Sequence, residues 1–254
     1  MKFIKMHGCG NDYVLVNGAL DEPGAAARYL CNRRFGVGAD GLITLSPAPG
    51  ADAMMRIFNA DGSEAEMCGN GIRCAALHLS AYQTDVISIE TRSGRKVIRN
   101  MGGNLFEVEM GKPEFPGNGE AALDVKDRVF SGTRVSMGNP HFVVFVDDAE
   151  VFPVGEYGPL MERLFEKGTN VEFVHVTGKG DLRQRTWERG VGETLACGTG
   201  ACAAAAVAIE AGKVTSPVKV ALTGGNLTIR WDGEGPIFMA GEAIEVFRGE
   251  VHLP

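Results

Sequence analysis

Two cysteines in this 254-residue chain, Cys68 and Cys197, each begin a Cys-Gly-X-Gly run that opens an apolar, helix-like segment. The frame around each is shared. Arg56, Phe58, Glu64, Cys68, Gly69 and Gly71 recur 129 positions later, without a gap, as Arg185, Trp187, Glu193, Cys197, Gly198 and Gly200. A repeat offset by half the chain implies two related halves, each presenting one thiol at the same structural place. The first turn of a helix has unsatisfied N–H groups and the positive end of the macrodipole, which predicts a stabilised thiolate and a lowered thiol pKa. Flanking glycines let those N–H groups approach a ligand closely, which suits a carboxylate. Two such thiols opposed across a pseudo-twofold cleft would be an acid and a base, one for each face of an α-carbon. That chemistry is stereoinversion. The blander reading is a small buried cysteine, which is what Cys31, Cys74 and Cys202 are expected to be. A structural disulfide between Cys68 and Cys197 is the other alternative, but it would leave the adjacent glycines without a purpose.

The elements that must position these thiols can be read around them. Ile72, Ala75, Ala76 and Leu79 form an apolar stripe at i, i+3, i+4 and i+7 after Cys68. From Ala201 to Ile209 the second helix is apolar all round, so it is expected to be buried on every side, with Gly212 as its C-terminal stop. Hairpins are predicted at Val86–Glu90 with Lys96–Arg99 and at Pro217–Leu222 with Leu227–Trp231, at matching distances from the two cysteines. Asp61-Gly62 signals another turn. Gly10-Asn11 and Gly138-Asn139 each precede an extended apolar stretch, 128 positions apart. The expected fold class is α/β of the α+β type: two pseudo-symmetric domains, each a mostly antiparallel sheet wrapped around a central helix, with the active site in the cleft between them. A boundary is expected near Gly111–Gly119.

Composition narrows the function. The net charge is −7 and no basic surface is on offer to phosphates, so nucleic acid is an unsuitable partner. No apolar run approaches the roughly 18 residues that span a bilayer, and the first ten residues lack the apolar core of a secretory signal. The expectation is a cytoplasmic protein with no membrane partner and reduced cysteines. The absence of any Cys-x-x-Cys argues against a zinc ribbon or thioredoxin-type motif, and no metal site is expected.

Nine blocks of residues, in order along nearly the whole chain, resemble the diaminopimelate epimerase family. They are Lys5–Tyr13 (Lys-Met-His-Gly-Cys-Gly-Asn-Asp-Tyr), Gly36–Gly41, Phe58–Glu64, Cys68–Gly71, Met137–His141, Thr169–Phe173, Trp187–Gly190, Glu193 and Ala196–Gly200. The resemblance implies a cofactor-independent epimerase that interconverts LL- and meso-diaminopimelate in lysine and peptidoglycan precursor synthesis. It implies two halves, residues 1–115 with 244–254 and residues 116–243, the last strand returning to the first half. It also implies Cys68 and Cys197 as the catalytic acid/bases, with the substrate isomer deciding which is base. Gly69, Asn70, Gly198 and Thr199 would hold the reacting carboxylate. Asn11, Asn59, Asn139, Asn170, Glu188 and Arg189 would bind the rest of the substrate, and His141 and Glu188 would adjust the thiols. An ammonium and a carboxylate at the distal centre suit Glu188 and Arg189, although by sequence alone these two could equally be a surface ion pair. The asparagines could equally be turn residues, and His141 a structural histidine.

Three positions depart from the family pattern. Cys9, beside Asn11, is a candidate third reactive thiol. Gly41 stands where some relatives have a glutamine that contacts substrate. Phe247 stands where some have a tyrosine at a dimer interface, which leaves a homodimer open. Within enzymes the competing reading is a racemase for proline, hydroxyproline or histidine, although proline-racemase relatives usually read Cys-Gly-His where this chain has Cys68-Gly69-Asn70. Phenazine-pathway isomerases share the fold but lack the paired thiols. From another class, the chain could be an amino-acid binder or a thiol redox switch.

Overall fold

A computed structural model of the chain describes residues 1–81, 85–117 and 119–253. The chain divides into two compact units, Met1–Val108 with Ala240–Pro254, and Glu109–Met239. Each is an α+β body made mostly of strands.

The first unit contains β1 (Lys2–Gly8), β2 (Asn11–Asn17), α1 (Pro23–Leu30), β3 (Gly41–Ala48), β4 (Ala51–Asn59), β5 (Glu64–Ala65), α2 (Gly69–Ser80), β6 (Val86–Thr91), β7 (Gly94–Asn100) and most of β8 (Leu105–Gly111). β2 and β3 pair in parallel, as do β4 and β6, each pair being joined by a crossover that contains a helix. The remaining pairs described, β1–β2, β3–β4, β4–β5, β6–β7 and β7–β8, are antiparallel.

The second unit repeats this order. It begins with β9 (Glu120–Val125), β10 (Arg128–Ser136), β11 (Pro140–Phe145), α3 (Val154–Arg163) and β12 (Asn170–Gly178). It continues with β13 (Asp181–Glu188), β14 (Gly192–Thr194), α4 (Gly198–Glu210), β15 (Val218–Leu222), β16 (Gly225–Arg230) and the start of β17 (Ile237–Glu242). Again the helix-bridged pairs, β11–β12 and β13–β15, are parallel. The pairs β10–β11, β12–β13, β13–β14 and β15–β16 are antiparallel. The last strand, β18 (Ile244–Glu250), pairs with β1 in the first unit. The duplication is therefore one of pairing as well as of sequence.

The expected hairpins form with two-residue turns, at Arg92-Ser93 and at Thr223-Gly224. Gly10 and Gly138 both adopt left-handed backbone, with φ of 79° and 89°, immediately before the asparagine of each half. The helices are also where expected. α2 buries Ile72, Ala75 and Ala76 completely, whereas Leu79 is only half-buried. α4 buries everything from Ala201 to Ala208 and touches six strands of its unit, from β10 to β16. It stops at Gly212, whose φ is 65°. There the Gly212 N–H donates to Ile209 O and the Lys213 N–H to Ala208 O, the two bonds of a Schellman end.

Strand alternation explains why one stretch serves two helices. Val14 and Val16 join α1 residues Ala26, Ala27 and Leu30 in one core. Tyr13 and Leu15 point to the other face, where α2 lies, and all four are buried. In the second unit Phe142, Val144, Val171 and Phe173 pack on α3 residues Tyr157 and Met161. That leaves His141, Asn170 and Glu172 on the opposite face of β11 and β12. Each of these core clusters buries large apolar side chains at roughly 1.5–3 kcal/mol apiece, so both faces of the central strands are fixed by packing.

Candidate active site: two cysteine half-sites

In the first unit Cys68 is the N-cap of α2, with extended backbone (φ −139°, ψ 125°) and no side-chain cap bond. Its Sγ lies 3.0 Å from the Tyr13 hydroxyl and 3.7 Å from Asn11 Oδ1. The orientation of Asn11 is fixed from behind. Its Nδ2 donates to an Asp40 carboxylate oxygen at 2.9 Å, an atom that can only accept, so Oδ1 must face the thiol. That oxygen also accepts from the Tyr13 hydroxyl at 2.5 Å and from Asn70 Nδ2 at 3.3 Å. Asn70 is itself held by Arg73, a fully buried arginine on the same helix that donates to Asn70 Oδ1 at 2.8 Å and to Gly69 O at 2.9 Å.

Asp12 and Asp40 are braced by Arg33, and Asp12 also by Lys5. Burial works to raise the Asp12 pKa, but the bonds from Arg33 and Lys5 prevail and hold the carboxyl well below its usual range. Asn59 is exposed, and its amide bonds Ser63 at 2.9 Å inside the β4–β5 turn.

In the second unit Cys197 is the N-cap of α4 and is buried. Its Sγ accepts from the Gly200 N–H at 3.4 Å and lies 3.5 Å from the Thr199 hydroxyl. A chain of polar contacts runs on from there. Asn139 Nδ2 donates to Thr199 Oγ1 at 3.3 Å, Asn139 Oδ1 faces His141 Nε2 at 3.0 Å, and His141 Nδ1 meets Glu172 Oε1 at 2.8 Å. His141 and Glu172 are both fully buried. Glu188, half-buried, accepts from the Thr194 hydroxyl at 2.5 Å. Burial above all, then the neighbouring Glu172, raises the Glu188 pKa.

Asn170 is buried with both ends of its amide committed to backbone. Nδ2 donates to Pro140 O at 2.8 Å, and Oδ1 accepts from the Arg189 N–H at 3.0 Å. Arg189 itself is exposed, and its guanidinium reaches Lys167 O at 3.3 Å.

One expectation needs correction: the helix start does not bring the Cys197 pKa below its ordinary value. Burial, followed by the charges of Glu188 and Glu172, pushes this thiol well above its ordinary value, against the bonds from Thr199 and Gly200. Cys9, the candidate third thiol, is buried in a left-handed turn (φ 51°), and burial raises its pKa despite the nearby Arg73 guanidinium.

Sequence reasoning passed over Tyr13, Arg73, Asp40, Glu172 and Thr194. The first and fourth were within reach. Tyr13 follows Asn11 by two residues as His141 follows Asn139, and Glu172 shares a strand face with Asn170.

Comparison with known proteins gives the two half-sites a family. The family model described as diaminopimelate epimerase matches residues 3–116 and 133–246, once in each half. The chain belongs to the diaminopimelate epimerase family. It is 47% identical to the diaminopimelate epimerase of Desulforudis audaxviator, over 98% of this chain and 99% of that one. It is 42% identical to that of Methanococcus maripaludis over the full length of both. It is thus an enzyme of the amino-acid epimerase class.

Solved structures show the same fold at low identity. A phenazine-biosynthesis protein from Bacillus anthracis aligns with a TM-score of 0.75 at 19% identity, covering 100% of this chain and 99% of that one. A hydroxyproline epimerase from Agrobacterium vitis aligns with a TM-score of 0.70 at 17% identity, covering 98% and 91%. No helix among the described residues is long and apolar enough to cross a membrane.

Proposed function

We propose that the protein interconverts LL- and meso-diaminopimelate, with Cys68 and Cys197 as the two acid/bases. The observation that carries this reading is the pair of cysteines, each the N-cap of a glycine-rich helix start in duplicated surroundings. One sulfur, as thiolate, takes the α-proton. The other, as thiol, delivers a proton to the opposite face, and the configuration at carbon inverts. The negative charge that grows on the reacting carboxylate during this step is met by N–H groups at the two helix starts, at Gly69 and Asn70 and at Gly198 and Thr199. Asn11 borders the Cys68 sulfur, and Asn139 bonds the Thr199 hydroxyl beside the Cys197 sulfur. These two would bind the substrate near the reacting centre, and Asn59, Asn170, Glu188 and Arg189 are assigned to the remainder of the substrate. His141 and Glu188 set the electrostatics around Cys197.

Since acid and base are both side chains, this chemistry needs no metal or pyridoxal phosphate. The substrate places the enzyme in lysine and peptidoglycan precursor synthesis, and so in the cytoplasm. Replacing Cys68 or Cys197 with Ser is expected to lower kcat by about a thousandfold or more, a hydroxyl being a far weaker acid than a thiol. Substrate binding, followed by calorimetry, is expected to persist in both variants. Near-normal turnover in either one would remove the two-thiol mechanism.

A further inference from the structure

Tyr13 and His141 occupy the same place in the duplication. Each lies two residues after the asparagine that follows a left-handed glycine, and in register with the parallel neighbour strand, Tyr13 opposite Gly41 and His141 opposite Asn170. The two sulfurs are nevertheless served differently. Cys197 receives a backbone N–H from Gly200 at 3.4 Å. Cys68 has no such cap bond, and the atom that comes closest to filling the role is the Tyr13 phenol oxygen, 3.0 Å from Sγ. We propose that Tyr13 is the positioning residue of Cys68, its hydroxyl donating to the sulfur when Cys68 is a thiolate and accepting from it when Cys68 is a thiol. This rests on Cys68 being one of the two acid/bases.

The argument is one of counting protons. The phenol has a single proton and two acceptors within reach, Asn11 Oδ1 at 2.5 Å and Cys68 Sγ at 3.0 Å. Asn11 cannot turn its NH2 toward the sulfur, because that end is bonded to Asp40. When Cys68 holds its proton, the S–H has two acceptors, the phenol oxygen at 3.0 Å and Asn11 Oδ1 at 3.7 Å, and the phenol donates to Asn11. When the proton has gone to substrate, Asn11 Oδ1 offers the anion only a lone pair. Rotation about the Tyr13 C–O bond then brings the phenolic hydrogen onto the sulfur, with no heavy atom moving. Tyr13 keeps its proton throughout. Burial and the adjacent sulfur push its pKa well above the ordinary phenol value, which maintains it as a donor. A purely structural Tyr13 would fill space beside α2, where a Cβ added to Gly71 would come within 3.4 Å of its ring, and would leave the chemistry of Cys68 unaffected.

The test is the rate of Cys68 carboxamidomethylation against pH, read by peptide mass spectrometry in the full-length protein, with Cys197 as internal reference. In Tyr13→Phe the Cys68 rate at pH 7.5 is expected to fall about tenfold and its profile to move to higher pH, since a bond to a charged group is lost. The Cys197 profile should stay in place. With 3-fluorotyrosine at position 13, a stronger donor of nearly the same shape, the Cys68 profile is expected to move the other way. Superimposable Cys68 profiles in wild type and Tyr13→Phe would overturn the proposal, as would a common shift of both thiols. Should Tyr13→Phe fail to fold, the direction of the fluorotyrosine shift decides. The turnover of Cys68→Ser reports separately on the acid/base role, so a failure of that reading is distinguishable from a failure of this one.

Discussion

The Cys68 and Cys197 neighbourhoods are built on one frame and furnished with opposite chemistry. Around Cys68 the groups in contact are neutral, a phenol and the amide of Asn11, and behind them lie the Asn70 amide, the Asp40 carboxylate and a buried arginine. Around Cys197 lie a histidine and two carboxylates, Glu172 and Glu188, whose charges help to raise the thiol pKa. Cys68 is half-buried and Cys197 is 5% exposed. The difference teaches that duplication preserved where the sulfurs sit while letting each half acquire its own way of handling a proton. Two thiols proposed to alternate as acid and base for two substrate isomers need not be equals.

Alkylation breaks or sharpens this comparison most directly. Iodoacetamide at pH 7.5 is expected to label Cys68 at least about tenfold faster than Cys197, because Cys197 is both less accessible and held as a thiol. Glu188→Gln removes one of the charges that hold it so, and is expected to speed Cys197 labelling several-fold while leaving Cys68 unchanged. Equal rates for the two thiols in the wild type would dissolve the asymmetry.

Matched glycines give the next largest effect. A Cβ at Gly200 would meet Glu172 Oε1 at 2.6 Å and Cys197 Sγ at 3.2 Å, and that carboxylate is fully buried and bonded to His141. A Cβ at Gly71 meets the ends of Ile57 and Ile43 at 3.2 and 3.3 Å and the Tyr13 ring at 3.4 Å. Urea unfolding should therefore find Gly200→Ala destabilising by about 3 kcal/mol and Gly71→Ala by about 1 kcal/mol or less.

Smaller still is the contrast between the repeated arginines. Arg56 pairs with Glu64 at 2.7 Å in a partly exposed setting and stacks over Phe58. Arg185 pairs with Glu193 at 2.6 Å and also donates to the carbonyls of Ala149, Glu150 and Phe152. Arg185→Ala is expected to cost about 2 kcal/mol, against about 0.5–1 kcal/mol for Arg56→Ala.

The comparison also separates what the sequence revealed from what it concealed. The cysteine N-caps, the hairpin turns and the Gly212 stop were legible because each rests on a local rule about caps, turns or left-handed glycine. The parallel pairs β2–β3 and β13–β15 were not, since parallel partners are distant in the chain and declare themselves only through the crossover. The alternation in β11 and β12 was harder to see for a different reason. Both strands are buried on both sides and carry near-continuous apolar runs, so the face that presents His141 and Glu172 stands out only against the Phe142 and Phe173 face. The Cys197 pKa was misjudged because helix position alone was considered. Burial and two nearby carboxylates outweigh a partial charge at a helix end.

The smallest expected effect is on acid stability, and it belongs to the first half. The Asp12 carboxyl, held below its unfolded value near 4, stabilises the fold above that pH and loses its contribution as pH falls through the depressed folded value. Unfolding midpoints in urea should therefore decline below about pH 4, and less steeply in Asp12→Asn.

The central claim is two-thiol inversion at the α-carbon of diaminopimelate. Its most direct test is incubation of the reduced enzyme with LL-diaminopimelate in deuterated water, followed by NMR. Meso product carrying deuterium at the inverted α-position is the predicted result, because the proton delivered by the second thiol comes from solvent. Meso product that retains the original hydrogen would contradict two separate bases, and no exchange at all would contradict the substrate.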